Sequence, residues 1–231
     1  MEVIFNNDFN YSIKDNLKRM PSGARVDFAG ITHDFSFKDI YVMGGFVRDS
    51  ILQVLYGYNF PINDLDILID NSKFVEIAKK YSKENFSRFG GLKFKYPGFS
   101  MDVFGMNNIF FLKDKPELEK ILDNVLNGCD LSTSALGYNL SSRKIYSVGA
   151  IEDIYKKEIN VNNHSYMKAG PTISRLILHA DKMGFKIGET GIDYIKENYS
   201  SKLDNDILEF LKYKEVSHLF SLIKENINKI I

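Results

Sequence analysis

Two aspartates, Asp64 and Asp66, stand two apart at the head of an apolar run, Asp-Leu-Asp-Ile-Leu-Ile over 64–69. In a strand, alternate side chains share a face, so both carboxylates point one way while Leu65 and Ile67 point into a core. Carboxylates converging at one strand end repel unless a cation lies between them, and an all-oxygen donor set suits Mg²⁺ or Mn²⁺. Asp102, in Phe-Ser-Met-Asp-Val-Phe over 99–104, is the candidate third carboxylate; the alternative is an ordinary surface-strand residue. Upstream, the apolar run Ile40 to Met43 ends in Gly44-Gly45. Lacking Cβ atoms, two glycines let a phosphate approach the backbone, and amides at the start of a following helix can donate to it. The planar fork of Arg48 suits a phosphate too, or else a salt bridge to Asp49 or Asp64 that shapes the site.

These groups need elements to hold them. Val47, Ile51, Leu52 and Leu55 fall on one helical face, so 40–70 reads as strand, glycine turn, helix, turn, strand. Phe74, Ile77, Ala78 and Tyr81 repeat at helical spacing and predict a helix from Ser72 to about Phe86. Leu92–Tyr96 and Ser100–Phe104 form a hairpin through Pro97-Gly98, which brings Asp102 beside the strand of Asp64 and Asp66. A further helix is expected over Lys113–Leu126, with its lysines solvated. Helices also follow over Ile173–Ile187, Ile192–Asn198, Asn205–Tyr213 and Glu215–Ile230. The last of these carries an apolar face that suits either a core or a dimer seam, so the oligomeric state stays open. At the N-terminus, Asn10–Met20 predicts a short helix stopped by Pro21-Ser22-Gly23. The loose alternation from Arg25 to Phe37 predicts one or two short strands. Lys18, Arg19 and Arg25 read as a solvated face rather than a phosphate rim, and His33 as a loop residue.

With 231 residues the chain is one large domain or two small ones. Lys plus Arg and Asp plus Glu balance at 30 each, so any polynucleotide partner must use a local basic patch. The single cysteine, Cys129, allows no internal disulfide and argues against a cysteine zinc site. No apolar run has membrane-spanning length and no signal-peptide pattern opens the chain, so a cytoplasmic protein without a membrane partner is expected. The Asn-, Ile-, Lys-, Tyr- and Phe-rich composition suits an AT-rich genome such as a bacteriophage's, whose product would act in the host cytoplasm.

Gly44-Gly45-Phe-Val-Arg-Asp49 followed by Asp64-Leu-Asp66 resembles the GGxVRD…DxD signature of bacterial poly(A) polymerases and class II CCA-adding enzymes, the tRNA nucleotidyltransferases. Either motif alone is weak. In this order, at this spacing and with a strand between them, they form a specific pair. A second segment, Asp130 to Leu140, is similar to the family's RDFTxNAL. There an Arg-Asp pair reads the ribose hydroxyls; this chain keeps Asp130 but has Cys129 in the arginine's place. A third, Ile173 to Ile187, is similar to the family's neck helix and implies that Arg175 reaches the nucleotide or the primer. The resemblance runs from Tyr41 to Ile187. It does not extend to the EDxxR motif that pairs with the incoming base in full-length CCA-adding enzymes.

The resemblance implies an α/β (α+β) fold: a nucleotidyltransferase head of polymerase β type with a small mixed twisted sheet, then an all-helical neck and body. The implied division is an N-terminal extension packed on the head (1–40), a catalytic head (41–160) and a helical neck and body (161–231). The implied activity transfers a nucleoside monophosphate from a triphosphate, ATP and/or CTP, to an RNA 3′-hydroxyl, with tRNA as partner. Asp64, Asp66 and Asp102 would hold Mg²⁺ or Mn²⁺. Gly44, Gly45, Arg48, Asp49, Asp130 and Arg175 would bind the nucleotide. Such chemistry rests on two metal ions, positioning and charge neutralisation, with no covalent nucleophile. Two other readings remain: a nucleotidyltransferase that modifies a protein or small molecule, and a non-catalytic RNA- or nucleotide-binding module.

Overall fold

The computed structural model describes residues 1–33, 40–81, 86, 90–106, 122–162 and 168–231. The chain divides into two compact units, Met1–Gly128 with Ser134–Val148, and Cys129–Thr133 with Gly149–Ile231.

The first unit is built on a seven-stranded mixed sheet. Its strands are β1 (Glu2–Ile4), β2 (Ile40–Met43), β3 (Asp64–Ile69), β4 (Leu92–Tyr96), β5 (Phe99–Gly105), β6 (Leu136–Asn139) and β7 (Ile145–Ser147), in the spatial order β1-β7-β6-β2-β3-β5-β4. All neighbours are antiparallel except β3 and β5. Leu65, Ile67, Leu68 and Ile69 of β3 are at most 1% exposed. Each contributes about 1.5–3 kcal/mol by burial, which anchors the strand while its first residue, Asp64, stays in solvent.

Helix α1 (Asn7–Arg19) is capped by Asn6, whose side chain accepts from the amides of Asp8 and Phe9. It lies on α3 (Gly44–Tyr56), where Asn16 Nδ2 donates to Ser50 Oγ at 2.9 Å. The next stretch corrects the sequence reading. Instead of strands, Ser22–His33 forms helix α2; residues 34–37 of the expected strands lie outside the described residues. Ala24 and Ile31 are buried and Phe28 half-buried, at i, i+7 and i+4, whereas Val26 is 71% exposed. The four-residue spacing, not the two-residue one, is what the core accepts. Pro21, just ahead of Ser22, marks the start of this helix as much as the end of α1.

Helix α4 (Asn71–Tyr81) starts where the Asp70 carboxylate accepts from the Ser72 amide at 2.8 Å. The Ser72 hydroxyl on that carboxylate holds the Asp70 pKa below its ordinary value. Phe86, the expected end of this helix, instead bridges to Leu92. Of the helix expected over 113–126, residues 113–121 lie outside the described set, and Leu122–Asn127 is helix α5.

The second unit holds α6 (Ala150–Lys156), α7 (Ala169–Met183), α8 (Glu189–Asn198), α9 (Asp204–Tyr213) and α10 (Phe220–Ile230). It also holds a parallel pair, β8 (Glu158–Ile159) with β9 (Lys186–Ile187). Residues 149–160, expected with the head, group with this unit. Ile159 is fully buried there, and Leu131 bridges to Val161. Ile173, Leu176, Ile177 and Met183 of α7 are at most 2% exposed. Ile223 and Ile227 of α10 are fully buried, so the centre of that helix's apolar face is core.

Candidate active site

Strand register brings the predicted carboxylates together. Antiparallel pairing sets Met43, the residue before the glycines, opposite Asp66. Parallel pairing sets Asp66 beside Asp102, and Asp64 beside Ser100. Neighbouring strands lie about 4.8 Å apart, and residues directly opposite share a face. Asp66 and Asp102 are therefore side by side, with Asp64 two residues along on the same face. Asp64 is exposed and Asp66 half-buried. The Asp102 side chain is 15% exposed; its Oδ2 accepts from Lys93 Nζ at 2.8 Å, and its buried Oδ1 has no hydrogen-bond partner. The carboxylate offered as a third metal ligand thus already holds a cation.

The glycine turn adjoins this face. Gly44 opens α3 at φ +62°, in the left-handed region where a side chain costs about 1 kcal/mol or more. A Cβ built there would lie 3.9 Å from Asp66 Oδ2 and from the Ser134 carbonyl oxygen, in ordinary van der Waals contact with both, so a methyl would fit there without a collision. Gly45 is tighter: its Cβ would stand 3.4 Å from Arg48 Nη2. Arg48 is only 3% exposed, and its Nε and Nη2 both donate to Asp49 Oδ1 at 2.7 Å. Of the two roles read for Arg48, the structure displays the ion pair with Asp49. A small cleft beside the turn is lined by Asp49, Gln53, Tyr58, Phe60, Asn63 and Asp64.

The remaining predicted residues lie in the second unit. Asp130 is buried, and its Oδ2 stands 2.8 Å from Arg175 Nη1. Its backbone is held by the Asn162 amide, which donates to the Asp130 carbonyl oxygen at 2.8 Å. Arg175, read as a nucleotide- or primer-contacting residue, thus stands in an ion pair with Asp130. Burial first, and then the Asp130 charge, push the Tyr194 phenol up, against the Thr172 hydrogen bond that lowers it.

Among the described residues no group of three or more His, Cys, Asp or Glu side chains is arranged to hold a metal ion. The sequence reading missed Lys93. The signal was present: a two-residue turn at Pro97-Gly98 pairs Tyr96 with Phe99 and, counting outward, Lys93 with Asp102. Gly98 at φ +68° after Pro97 is the combination a type II turn uses.

No family model matches the chain, and no curated protein matches it. Solved structures do. A CCA-adding enzyme in complex with CTP matches 97% of this chain at 21% identity and a TM-score of 0.59. A Thermotoga maritima CCA-adding enzyme complexed with tRNA matches 91% at 17% identity and a TM-score of 0.58. A tRNA nucleotidyltransferase complexed with a primer tRNA and an incoming ATP analogue matches 83% at 20% identity and a TM-score of 0.59. The chain has the fold of the CCA-adding enzymes. It covers 56%, 51% and 57% of those three chains, a little over half of their length. The resemblance carried by GGFVRD and DLD therefore holds at the level of the fold. No described helix is long and apolar enough to cross a membrane.

Proposed function

We propose that the chain transfers a nucleoside monophosphate from ATP or CTP to an RNA 3′-hydroxyl, with tRNA as the acceptor. The observation that carries this reading is the register that sets Met43, and with it the Gly44 turn, against Asp66, whose Oδ2 lies 3.9 Å from a Cβ built on Gly44. A phosphate-accepting helix N-terminus and a carboxylate strand end meet there, which is the juxtaposition nucleotidyl transfer needs. The acceptor and the nucleotides are suggested by the solved structures of this fold, which hold tRNA, CTP and ATP.

Asp64 and Asp66 offer only oxygens, and Mg²⁺ is commonly held by one or two carboxylates together with substrate phosphates and water. The pair fits that pattern without a third protein ligand. Bound there, Mg²⁺ or Mn²⁺ would neutralise charge developing on the attacking and leaving oxygens. The amides at the start of α3 would orient the triphosphate, and Gly44 leaves the space for its approach. Arg48, locked onto Asp49, would hold the shape of that turn. Asp130 would read ribose hydroxyls and Arg175 would reach the nucleotide or the primer, as the family resemblance implies.

The test is transfer of label from each α-³²P nucleoside triphosphate, with Mg²⁺, to tRNA, to total RNA and to total protein. A Asp64→Ala, Asp66→Ala double variant runs beside it. Label on RNA 3′ ends that vanishes in the variant supports the proposal and reveals the nucleotide. Label on protein alone, or none on RNA, overturns it.

A further inference from the structure

The sheet face that carries Asp66 and Asp102 also carries Lys93. Antiparallel pairing of β4 with β5 sets Lys93 opposite Asp102, and its ammonium lies 2.8 Å from Asp102 Oδ2. The side chains are 35% and 15% exposed, so the pair is partly withdrawn from water and is screened less than a surface ion pair. Oδ1 of the same carboxylate is buried with no hydrogen-bond partner, so the Lys93 bond is what fixes the group's orientation. Three carboxylates on one face would accumulate repulsion that only a bound cation relieves. Lys93 brings one ammonium group to that face.

Resting on the reading of Asp64 and Asp66 as the metal-holding pair, we propose that Lys93 is a positioning residue that acts as a built-in cation. It holds Asp102 beside Asp66, keeps that carboxylate out of the ion's ligand set, and so sets how tightly the site takes a divalent ion. A site tuned this way binds its ion weakly alone and firmly only when the triphosphate adds its own oxygens. Lys93 thereby couples ion binding to substrate binding.

The experiment is titration of the full chain with Mn²⁺ in the absence of nucleotide, with free ion counted by electron paramagnetic resonance. Lys93→Met removes a unit charge from the strand two places away from the one that carries Asp64 and Asp66. For a divalent ion about 7 Å from that charge, at an effective dielectric near 40, this should tighten Mn²⁺ binding roughly fiftyfold. Lys93→Arg keeps the charge and should keep wild-type affinity. Lys93→Met combined with Asp102→Asn removes both charges and should return affinity to the wild-type value. Circular dichroism checks that each variant is folded, and the charge-free double variant provides a folded comparison if Lys93→Met is not. Affinity that is unchanged or weaker in Lys93→Met, or that stays raised in the double variant, overturns the proposal. The Asp64→Ala, Asp66→Ala variant separates the underlying reading. Mn²⁺ binding that survives it refutes the metal pair, whereas loss of binding there with no Lys93 effect refutes only the part given to Lys93.

Discussion

Gly44→Ala and Gly57→Ala form a matched pair that isolates the glycine turn. Both residues sit at positive φ, +62° and +69°. Gly57 ends α3 as a left-handed cap whose amide donates to the Gln53 carbonyl oxygen, with nothing within 4 Å of a built Cβ. Gly44 meets nothing closer than 3.9 Å. Neither methyl collides, so each substitution should cost about 1 kcal/mol of backbone strain. That is about 2–4 °C in melting temperature for a protein of this size. Only Gly44 borders Asp66. A methyl there covers the face over the turn and removes one charge-assisted amide–phosphate bond, at about 1.5–3 kcal/mol. Triphosphate affinity should therefore fall roughly 10- to 100-fold in Gly44→Ala and stay within about twofold in Gly57→Ala. Thermal unfolding followed by circular dichroism gives the stability, and titration with a fluorescent triphosphate gives the affinity. Equal affinities in the two variants would refute the role given to the turn. A much larger stability loss at Gly44 would show that the space over it is not open.

Three further outcomes follow from the packing. Tyr96 donates to Asp27 at 2.5 Å, and burial first, then that carboxylate, raises its phenol pKa well above the ordinary tyrosine value. The neutral phenol's contribution is fully present below about pH 10 and lost as pH climbs through the raised folded value. Tyr96→Phe should thus cost about 1 kcal/mol near pH 8 in urea unfolding, a gap that narrows above pH 10; a gap independent of pH would contradict this. Asp49→Asn removes the charge that faces the buried Arg48 guanidinium at 2.7 Å and should cost about 2 kcal/mol, discounted because Asp49 is 21% exposed. A change under about 0.5 kcal/mol in the same assay would show the pair to be dispensable. Gly170→Ala would put a Cβ 2.9 Å from Asp206 Cβ and 3.3 Å from the Ile207 nitrogen, forcing α7 and α9 apart. It should cost about 1–3 kcal/mol and raise amide exchange in α9; protection equal to wild type would disprove the close approach.

The strand–turn–helix–strand unit was legible because every local signal agreed: the 3.6-residue stripe of α3, the glycines at its start and the alternation of Asp64 to Ile67. Hairpin register was equally fixed by Pro97-Gly98, and with it the place of Asp102. Helix α2 was misread because Val26, Phe28 and Ile31 fit two periods over so short a stretch, and only burial of Ala24 and Ile31 decides between them. The Asp130–Arg175 pair was beyond reach for another reason. Both residues could be singled out, but their meeting depends on how Leu131 bridges to Val161 and how α7 packs, which no local pattern encodes. Lys93 lay within reach. One count along the hairpin places it on Asp102, yet a lysine on a strand reads as solvated until its partner is named.

The most direct test of the account is a crystal of the protein grown with Mn²⁺ and a non-hydrolysable CTP or ATP analogue, with manganese located by its anomalous signal. The account predicts a manganese peak between the Asp64 and Asp66 carboxylates, shared with triphosphate oxygens that rest on the amides following Gly44. Lys93 should still hold Asp102 beside it. A triphosphate bound away from the α3 turn, or manganese that avoids Asp64 and Asp66, would contradict the assignment of this site.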